Sequence, residues 1–209
     1  MNQIRAVLLE RGHIVPQGRA KLAASLESLL DTKAVSDLRP RMRSLVADVR
    51  ERWQSLDGRI AALDAEFAEQ ARTDESARRL TTIPGIGALN ATALVAAIGI
   101  GHVATFARGR DLAAWLGLVP RQVTTGGRPK RVGITKRGSK HLRKMLIQGA
   151  RAAMPTLRQS DTRIGQWLRG LLARALANTA VVALAAKMAR IVWALLRHER
   201  VYEPAAVAV

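Results

Sequence analysis

The sequence has no cysteine in 209 residues, and Phe, Trp and Tyr together make up only 3% of it. Without cysteine, the sequence can form no disulfide bond, thiolate metal site or cysteine nucleophile. The small number of aromatic rings argues against a surface on which the bases of a single-stranded nucleic acid would stack. No metal site is predicted, because the four histidines lack the spacing of metal ligands: His13, His102, His141 and His198.

Signals for export and for membrane insertion are missing as well. The N-terminus has no basic stretch followed by an apolar core, so no signal peptide is predicted. The longest apolar run, Ala173 to Leu196, is interrupted by Arg174, Asn178, Lys187 and Arg190. It therefore predicts a buried helix instead of a membrane span. We expect a cytoplasmic protein that has no membrane partner.

Acidic residues are scarce in the C-terminal part of the chain. There are 34 Lys and Arg residues against 16 Asp and Glu, which gives a formal net charge of +18 and a pI of about 11.7. The segment from Met1 to Leu80 has 14 basic and 12 acidic residues, which leaves 20 basic and only 4 acidic for the rest. Because 48% of the residues are hydrophobic, this excess charge belongs to a folded domain and not to a disordered tail. A nucleic acid is the expected partner of such a domain.

The most informative segment runs from Pro120 to Leu142, with the sequence PRQVTTGGRPKRVGITKRGSKHL. It combines four glycines with seven lysines and arginines, and it has no acidic residue. Glycine lets a backbone approach a ligand or adopt a positive φ, and the interleaved cations neutralise phosphates. The segment therefore predicts a binding surface for a polyanion, the alternative being a solvated basic loop. The candidate contacts are Arg121, Arg128, Lys130, Arg131, Lys136, Arg137 and Lys140.

The next segment, SKHLRKMLIQGARAAM, alternates apolar and basic residues with the period of a helix. Its apolar residues are expected to face inward: Leu142, Met145, Leu146 and Ala150. Its basic residues are expected on the outward face: Lys140, Arg143, Lys144 and Arg151. This face would extend the basic surface, so Arg143 and Lys144 join the candidate nucleic-acid contacts.

Earlier in the chain, a long helix is predicted from an apolar repeat that alternates spacings of four and three residues. The repeat consists of Met42, Val46, Val49, Trp53, Leu56, Ile60, Leu63 and Phe67. Charges of both signs lie between these positions, as on the solvent face of a coiled coil. The partner of this helix is either the preceding segment, around Gly18 to Leu30, or the same helix in a second protomer. The second alternative predicts a homo-oligomer.

The segment from Leu80 to Gly99, LTTIPGIGALNATALVAAIG, has the pattern of a helix-hairpin-helix motif. A hairpin that contains Gly85, Ile86 and Gly87 would present backbone N–H groups, reinforced by the N-terminus of the following helix, to a phosphate oxygen. We therefore predict these three residues as nucleic-acid contacts. The alternative is a tight interhelical turn without a ligand.

No segment predicts a convincing β-strand, so the expected fold is all-α. N-terminal coiled-coil helices would be followed by a compact helical domain that contains the helix-hairpin-helix motif. We place a helical linker and coiled coil at residues 1–76, ending in a hinge around Asp74 to Ser76. The compact domain is expected at residues 77–200 and a tail at residues 201–209.

The motifs IPGIG, AAWLGLVPRQ, TTGG, GITKRGSKHLRK and VVALAAKMARIVWALL resemble one family in their order and spacing. It is the family of DEDD-type transposases of bacterial insertion sequences (IS116/IS110/IS902 type), which includes Piv-like DNA invertases and bridge-RNA-guided recombinases. The resemblance extends over almost the whole chain. It implies the C-terminal part of such an enzyme without its N-terminal RuvC-like nuclease domain, and it implies double-stranded DNA and a structured guide RNA as partners.

The resemblance also implies a chemistry. In this family, four acidic residues of the nuclease domain hold magnesium, and a serine of the C-terminal domain attacks DNA to form a covalent phosphoester. In this chain Thr125, or alternatively Thr124, stands in place of that serine, with Arg121 and Lys136 as the cations nearest to it in sequence. A threonine methyl crowds the attack, and a turn-capping role is the alternative for both residues. We expect no cofactor in this chain, since Mg²⁺ would belong to the missing nuclease domain.

Two functions from different classes remain open. The chain is either the DNA-binding half of an insertion-sequence transposase, with guide RNA as a second ligand and inactive alone, or a stand-alone nucleic-acid-binding or regulatory protein derived from such an element. A covalent protein–DNA adduct would separate the two. A helix-hairpin-helix repair or Holliday-junction protein would account for IPGIG but not for TTGG or ITKRG.

Overall fold

The computed structural model describes residues 2–31, 39–99 and 102–204. Over these residues the fold is mainly helical, which confirms the expected class, and it contains one two-stranded sheet. The helices are α1 (Asn2–Leu9), α2 (Arg19–Leu30), α3 (Pro40–Thr73), α4 (Glu75–Thr81), α5 (Ala88–Ile98), α6 (Gly109–Trp115), α7 (Lys140–Gln159), α8 (Arg163–Leu172) and α9 (Ala177–His198). The strands are β1 (Pro120–Thr125) and β2 (Arg128–Ile134).

The hairpin of β1 and β2 shows that the prediction of no strands was wrong. Its two-residue turn consists of Gly126 and Gly127, whose φ angles are 58° and 76°. Positive φ at both turn positions matches the twist of the flanking strands, which is why glycine pairs favour such hairpins. The Gly-Gly pair is therefore the sequence signal for this hairpin. The many cations around it hide the alternation of apolar and polar residues that usually indicates a strand.

The chain forms two compact units, Met1–Leu63 and Asp64–Val209. In the first unit, Leu22 and Leu26 of α2 lie in a small buried cluster with Leu8 of α1 and Val46 of α3. Trp53 of α3 packs against this cluster. The preceding helical segment is therefore one partner of the apolar repeat, as the first of the two alternatives predicted.

The later positions of the repeat are much more exposed. Val49 is 42% exposed, Leu56 is 54%, Ile60 is 55% and Leu63 is 50%. Four apolar side chains at heptad positions of one helix therefore contact solvent for about half of their surface. Pairing of this face with a second protomer stays a prediction.

In the second unit, α9 lies at the centre of the core. It packs against α4, α6, α7 and α8. Its fully buried residues recur with the period of a helix: Ala180, Val181, Leu184, Ala185, Met188, Ala189 and Val192. Length and composition alone would allow α9 to cross a membrane. Its burial by four other helices instead agrees with the predicted buried helix.

The boundary between α3 and α4 lies where the sequence predicts a break. The first of these helices ends at Thr73, and Asp74 is the N-cap of the second. Oδ1 of Asp74 accepts a hydrogen bond of 2.7 Å from the backbone N–H of Ala77, which satisfies one free donor at the helix start. The break is thus a helix boundary, and its role as a hinge stays a prediction.

Candidate nucleic-acid interface

The β1–β2 hairpin is an antiparallel ribbon with one irregularity. The paired Cα positions are Pro120 with Ile134, Gln122 with Arg131, Val123 with Lys130, Thr124 with Pro129 and Thr125 with Arg128. Near the base of the hairpin, Val132 and Gly133 of β2 therefore oppose the single residue Arg121 of β1. Gly133 has a φ of 54°, as expected at a β-bulge. The bulge increases the local twist and bend of the ribbon.

Seven of the predicted cations of this region lie on the surface, whereas Arg143 is buried. Those whose side chains are exposed are Arg121, Arg128, Lys130, Lys136, Arg137, Lys140 and Lys144. Within the described residues, none of them forms an ion pair with a carboxylate. The side chain of Arg131 lies outside the described residues. Exposed cations without an internal partner are available to an external polyanion.

The loop that follows β2, residues 135–138, lies against the segment that ends α6; we call it the basic loop. The N–H of Thr135 donates to the carbonyl oxygen of Val119 at 2.9 Å, and the N–H of Lys136 donates to that of Gly117 at 3.2 Å. Lys136 has a φ of 56°, in the left-handed region that a lysine rarely adopts. Such strain persists only where the surrounding structure fixes the backbone, and it is typical of functional segments.

Two glycines allow this close approach. Gly117 and Gly138 have φ angles of 72° and 77°. A Cβ at Gly117 would overlap the carbonyl oxygen of Arg137, and a Cβ at Gly138 would overlap that of Trp115. The sequence predicts that glycines here bring the backbone to a ligand. In the structure, Gly138 brings the basic loop to the end of α6.

Arg143 does not lie where the sequence predicts it. It was expected on the outward face of α7, but it is only 9% exposed, so that expectation was wrong. Its Nη1 donates hydrogen bonds to the carbonyl oxygens of Leu116, at 3.1 Å, and Arg137, at 2.9 Å. The side chain turns inward because these two acceptors compensate for the loss of water around the guanidinium. Periodicity alone gives no signal for such acceptors.

The two threonines that stand in place of the expected serine lie at the tip of the hairpin, directly before Gly126. Thr124 is exposed, and its Cα is paired with that of Pro129. It makes no side-chain hydrogen bond to a described residue, so none of these residues lies at its hydroxyl as a hydrogen-bonded general base. The side chain of Thr125 lies outside the described residues. The nucleophilic role of either threonine stays a prediction.

The turn between α4 and α5 contains the three predicted phosphate contacts. Gly85 has a φ of 88°, and a Cβ there would overlap the carbonyl oxygen of Gly149 in α7. Ile86 is only 3% exposed, and its N–H donates to the carbonyl oxygen of Ile83 at 3.0 Å. Gly87 is exposed, and it is the N-cap of α5, with open space around it. Of the three, Gly87 is thus exposed, Gly85 is partly buried against α7 and Ile86 is buried. Their contact with a phosphate stays a prediction.

The described residues offer no metal site. Among them, no group of three His, Asp or Glu side chains could hold a metal ion. Two of the carboxylates are instead close to arginines: Glu75 pairs with Arg79 at 2.6 Å, and Asp161 lies 3.7 Å from Arg169. The resemblance places the magnesium site in the nuclease domain and not among these carboxylates, and we assign no step to a metal.

Among the described residues of the second unit, two groups have shifted pKa values, and neither belongs to the candidate interface. Burial, together with nearby Arg190, lowers the pKa of Lys187. The Nζ of Lys187 lies 4.5 Å from the centre of the Trp167 ring, a cation–π contact between α9 and α8. Burial raises the pKa of Tyr202, which follows α9. Both side chains belong to the packing around the last helix.

Residues 77–164 match the family described as Transposase IS116/IS110/IS902 family. The matched segment includes the hairpin, the basic loop and the first turn of α7. The chain is 41% identical over 204 residues to a probable family 20 transposase of Pseudomonas aeruginosa, covering 97% of this chain and 60% of that protein. It is 38% identical over 192 residues to the transposase for insertion sequence element IS1328 of Yersinia enterocolitica, covering 92% and 56%.

A third relative, the transposase for insertion sequence element IS1111A of Coxiella burnetii, is 36% identical over 202 residues, covering 97% of this chain and 55% of that protein. The chain therefore spans little more than half the length of the curated relatives it matches. Nearly all of this chain has a counterpart in each of the three, which confirms the resemblance at the level of the family. Residues 77–164 of this chain thus belong to the IS116/IS110/IS902 family of insertion-sequence transposases.

Proposed function

We propose that this chain is the DNA-binding part of an insertion-sequence transposase that acts in transposition and recombination. It would bind double-stranded DNA through the hairpin, the basic loop and the first turn of α7. One observation supports this above all: the exposed cations of three consecutive elements have no carboxylate partner among the described residues. A structural surface would be expected to neutralise part of this charge internally.

The shapes of the three elements suit different parts of a duplex. A two-stranded antiparallel ribbon fits into the major groove, so the hairpin is the element that would enter it. Ser139 caps α7, its Oγ accepting a hydrogen bond of 3.3 Å from the N–H of Leu142, and Lys140 follows in the first turn. A helix N-terminus that carries a lysine attracts phosphate, so this end of α7 would contact the DNA backbone.

The same cations would also attract a structured guide RNA, which the resemblance implies as a second ligand. These cations would contact phosphates, and phosphate contacts do not distinguish base sequences. We also propose that the exposed part of the α3 repeat pairs with the same helix in a second protomer. Four apolar residues at heptad positions, each between 42% and 55% exposed, support this pairing.

We propose that the chain alone binds DNA without recombining it. In a covalent step, the hydroxyl oxygen of Thr125 or Thr124 would bond to a DNA phosphorus, a bond from that phosphorus to a deoxyribose oxygen would break, and the threonine proton would end on the leaving oxygen. Among the described residues, none is hydrogen-bonded to Thr124 as a base for its proton. The described carboxylates also provide no metal site.

Fluorescence anisotropy with a labelled duplex, repeated at several salt concentrations, tests the binding proposal. If about six phosphates are contacted, the logarithm of the association constant should fall with the logarithm of salt with a slope of about −5. Binding that does not depend on salt would contradict the proposal. The same titration with a structured RNA in place of the duplex tests whether RNA is a second ligand.

A separate assay tests the chemistry. The protein is incubated with insertion-site DNA and magnesium, denatured, and examined by gel electrophoresis for a protein–DNA adduct. No adduct is expected for the chain alone. An adduct that disappears in a Thr124→Val, Thr125→Val double variant would show instead that the chain has its own nucleophile.

A further inference from the structure

Arg143 is the one charged side chain that is buried among the residues the structure describes. It has no carboxylate partner there. Its guanidinium donates instead to two backbone carbonyls, those of Leu116 and Arg137. Burying a charge without an opposite charge is unfavourable, so an arginine retained in such a place suggests a geometric role.

The two carbonyls belong to segments that are distant in sequence. Leu116 follows α6, whereas Arg137 lies in the basic loop, on the other side of the hairpin. A single Nη1 atom therefore links the two chain segments from which the hairpin emerges. Two backbone hydrogen bonds, Thr135 to Val119 and Lys136 to Gly117, reinforce the same junction.

The junction fixes the unusual backbone at Lys136. A lysine with a φ of 56° needs surroundings that hold it there. In this conformation the side chains of Lys136 and Arg137 are both exposed, next to the base of the hairpin. Arg143 itself is too deeply buried to reach a phosphate in the same way.

We propose that Arg143 is a positioning residue for the nucleic-acid interface. Its two hydrogen bonds hold the basic loop in the conformation that presents Lys136 and Arg137 beside the hairpin, and it does not contact DNA. This inference rests on the proposed DNA binding. It replaces the direct contact that the sequence predicts for Arg143.

The test combines hydrogen exchange with DNA titrations on the full chain. Arg143→Met keeps the length of the side chain but removes its donors. The amides of Thr135 and Lys136 should then exchange at least about tenfold faster, while those in the middle of α9 keep their protection. DNA affinity should fall by about tenfold at every salt concentration, with little change in the salt slope. Arg143→Lys, which can still donate to a carbonyl, should restore part of the protection.

Lys144→Met is the matched control, because it removes an exposed cation from the next position of α7. It should make the salt slope less steep by the amount expected for one phosphate contact, about 0.9. The hydrogen exchange of Thr135 and Lys136 should stay unchanged. If Arg143→Met behaves like this control, Arg143 contacts DNA directly and the inference is wrong. It is also wrong if Arg143→Met changes neither exchange nor affinity.

Should Arg143→Met fail to fold, Gly138→Ala perturbs the same junction without changing any charge. It should give the same faster local exchange and the same loss of affinity at an unchanged salt slope, and an unaltered affinity would overturn the inference. Failure of the proposed function can be distinguished from failure of this inference. In that case the wild-type chain shows no salt-dependent binding, whatever the exchange data show for the junction.

Discussion

Gly85 and Gly149 contact each other through their backbones, and a Cβ on either residue would overlap the carbonyl oxygen of the other. The contact joins the turn between α4 and α5 to the middle of α7. Asn90 reinforces it, because its Nδ2 lies 3.4 Å from the carbonyl oxygen of Gly85 and 3.5 Å from that of Met145. The turn is thus fixed relative to the helix whose first residues belong to the proposed DNA surface.

This contact predicts that Gly149→Ala destabilises the protein, by about 1 to 3 kcal/mol, because the added methyl forces the backbones apart. Gly170→Ala is the control, since Gly170 is also in a helix but has open space around it. That substitution should stabilise the protein by up to about 1 kcal/mol, as alanine favours helices. Urea unfolding followed by circular dichroism measures both changes. Equal effects of the two substitutions would show that the contact is not tight.

The substitution Lys136→Gly should weaken DNA binding without destabilising the fold. Glycine adopts a φ of 56° without strain, so the substitution should relieve about 1 kcal/mol and leave the melting temperature unchanged or higher. DNA affinity should nevertheless fall, with the salt slope reduced by about 0.9, because one phosphate contact is lost. Thermal unfolding and anisotropy titrations check the two effects. Unchanged affinity would place Lys136 outside the interface.

Removal of the other exposed cations should weaken DNA binding and reduce its salt dependence. We expect Lys130→Ala and Arg137→Ala each to make the salt slope less steep by the amount expected for one phosphate contact, about 0.9. The sequence predicts the same for Arg131→Ala. The control is Arg72→Ala, because Arg72 already has a carboxylate partner in Glu69 at 2.5 Å. If the control weakens binding as much as the other substitutions, the protein responds to net charge and has no localised surface.

The exposed part of the α3 repeat should mediate self-association. Ile60→Lys places a charge among the apolar heptad positions and should shift the protein towards monomers in sedimentation experiments. Leu45→Lys is the control, because Leu45 is 42% exposed on the same helix but lies outside the heptad positions. It should leave the distribution of species unchanged. A wild-type protein that is monomeric at high concentration would contradict the pairing.

The helices could be predicted because their signals are local. The apolar spacing of α3, the break at Asp74 and the core face of α9 all depend on residues that are close in sequence. The location of the basic surface could also be predicted, since a run of cations and glycines without an acidic residue is visible directly. The expected family followed from the order of several motifs and did not require any contact to be known.

The positions that the sequence does not reveal depend on contacts across the fold. Arg143 turns inward because Leu116, distant in sequence, offers a carbonyl acceptor. In the sequence, Gly85 is part of a predicted phosphate-binding hairpin, but in the structure a Cβ at this position would overlap the backbone of Gly149. The β1–β2 hairpin was missed for a different reason. Its turn signal is local, but four of its thirteen strand residues are cations, and none of the strand side chains that the structure describes is buried, so no alternating pattern marks the strands.

The central helix of the second unit is also the last helix of the described chain. Because α9 packs against α4, α6, α7 and α8, those helices have no complete apolar partner until residues up to about His198 have been synthesised. The second unit therefore completes its core only once α9 has been synthesised. A frameshift or stop codon shortly before this helix would leave the basic hairpin attached to an open core, with the exposed apolar surface that chaperones and proteases recognise.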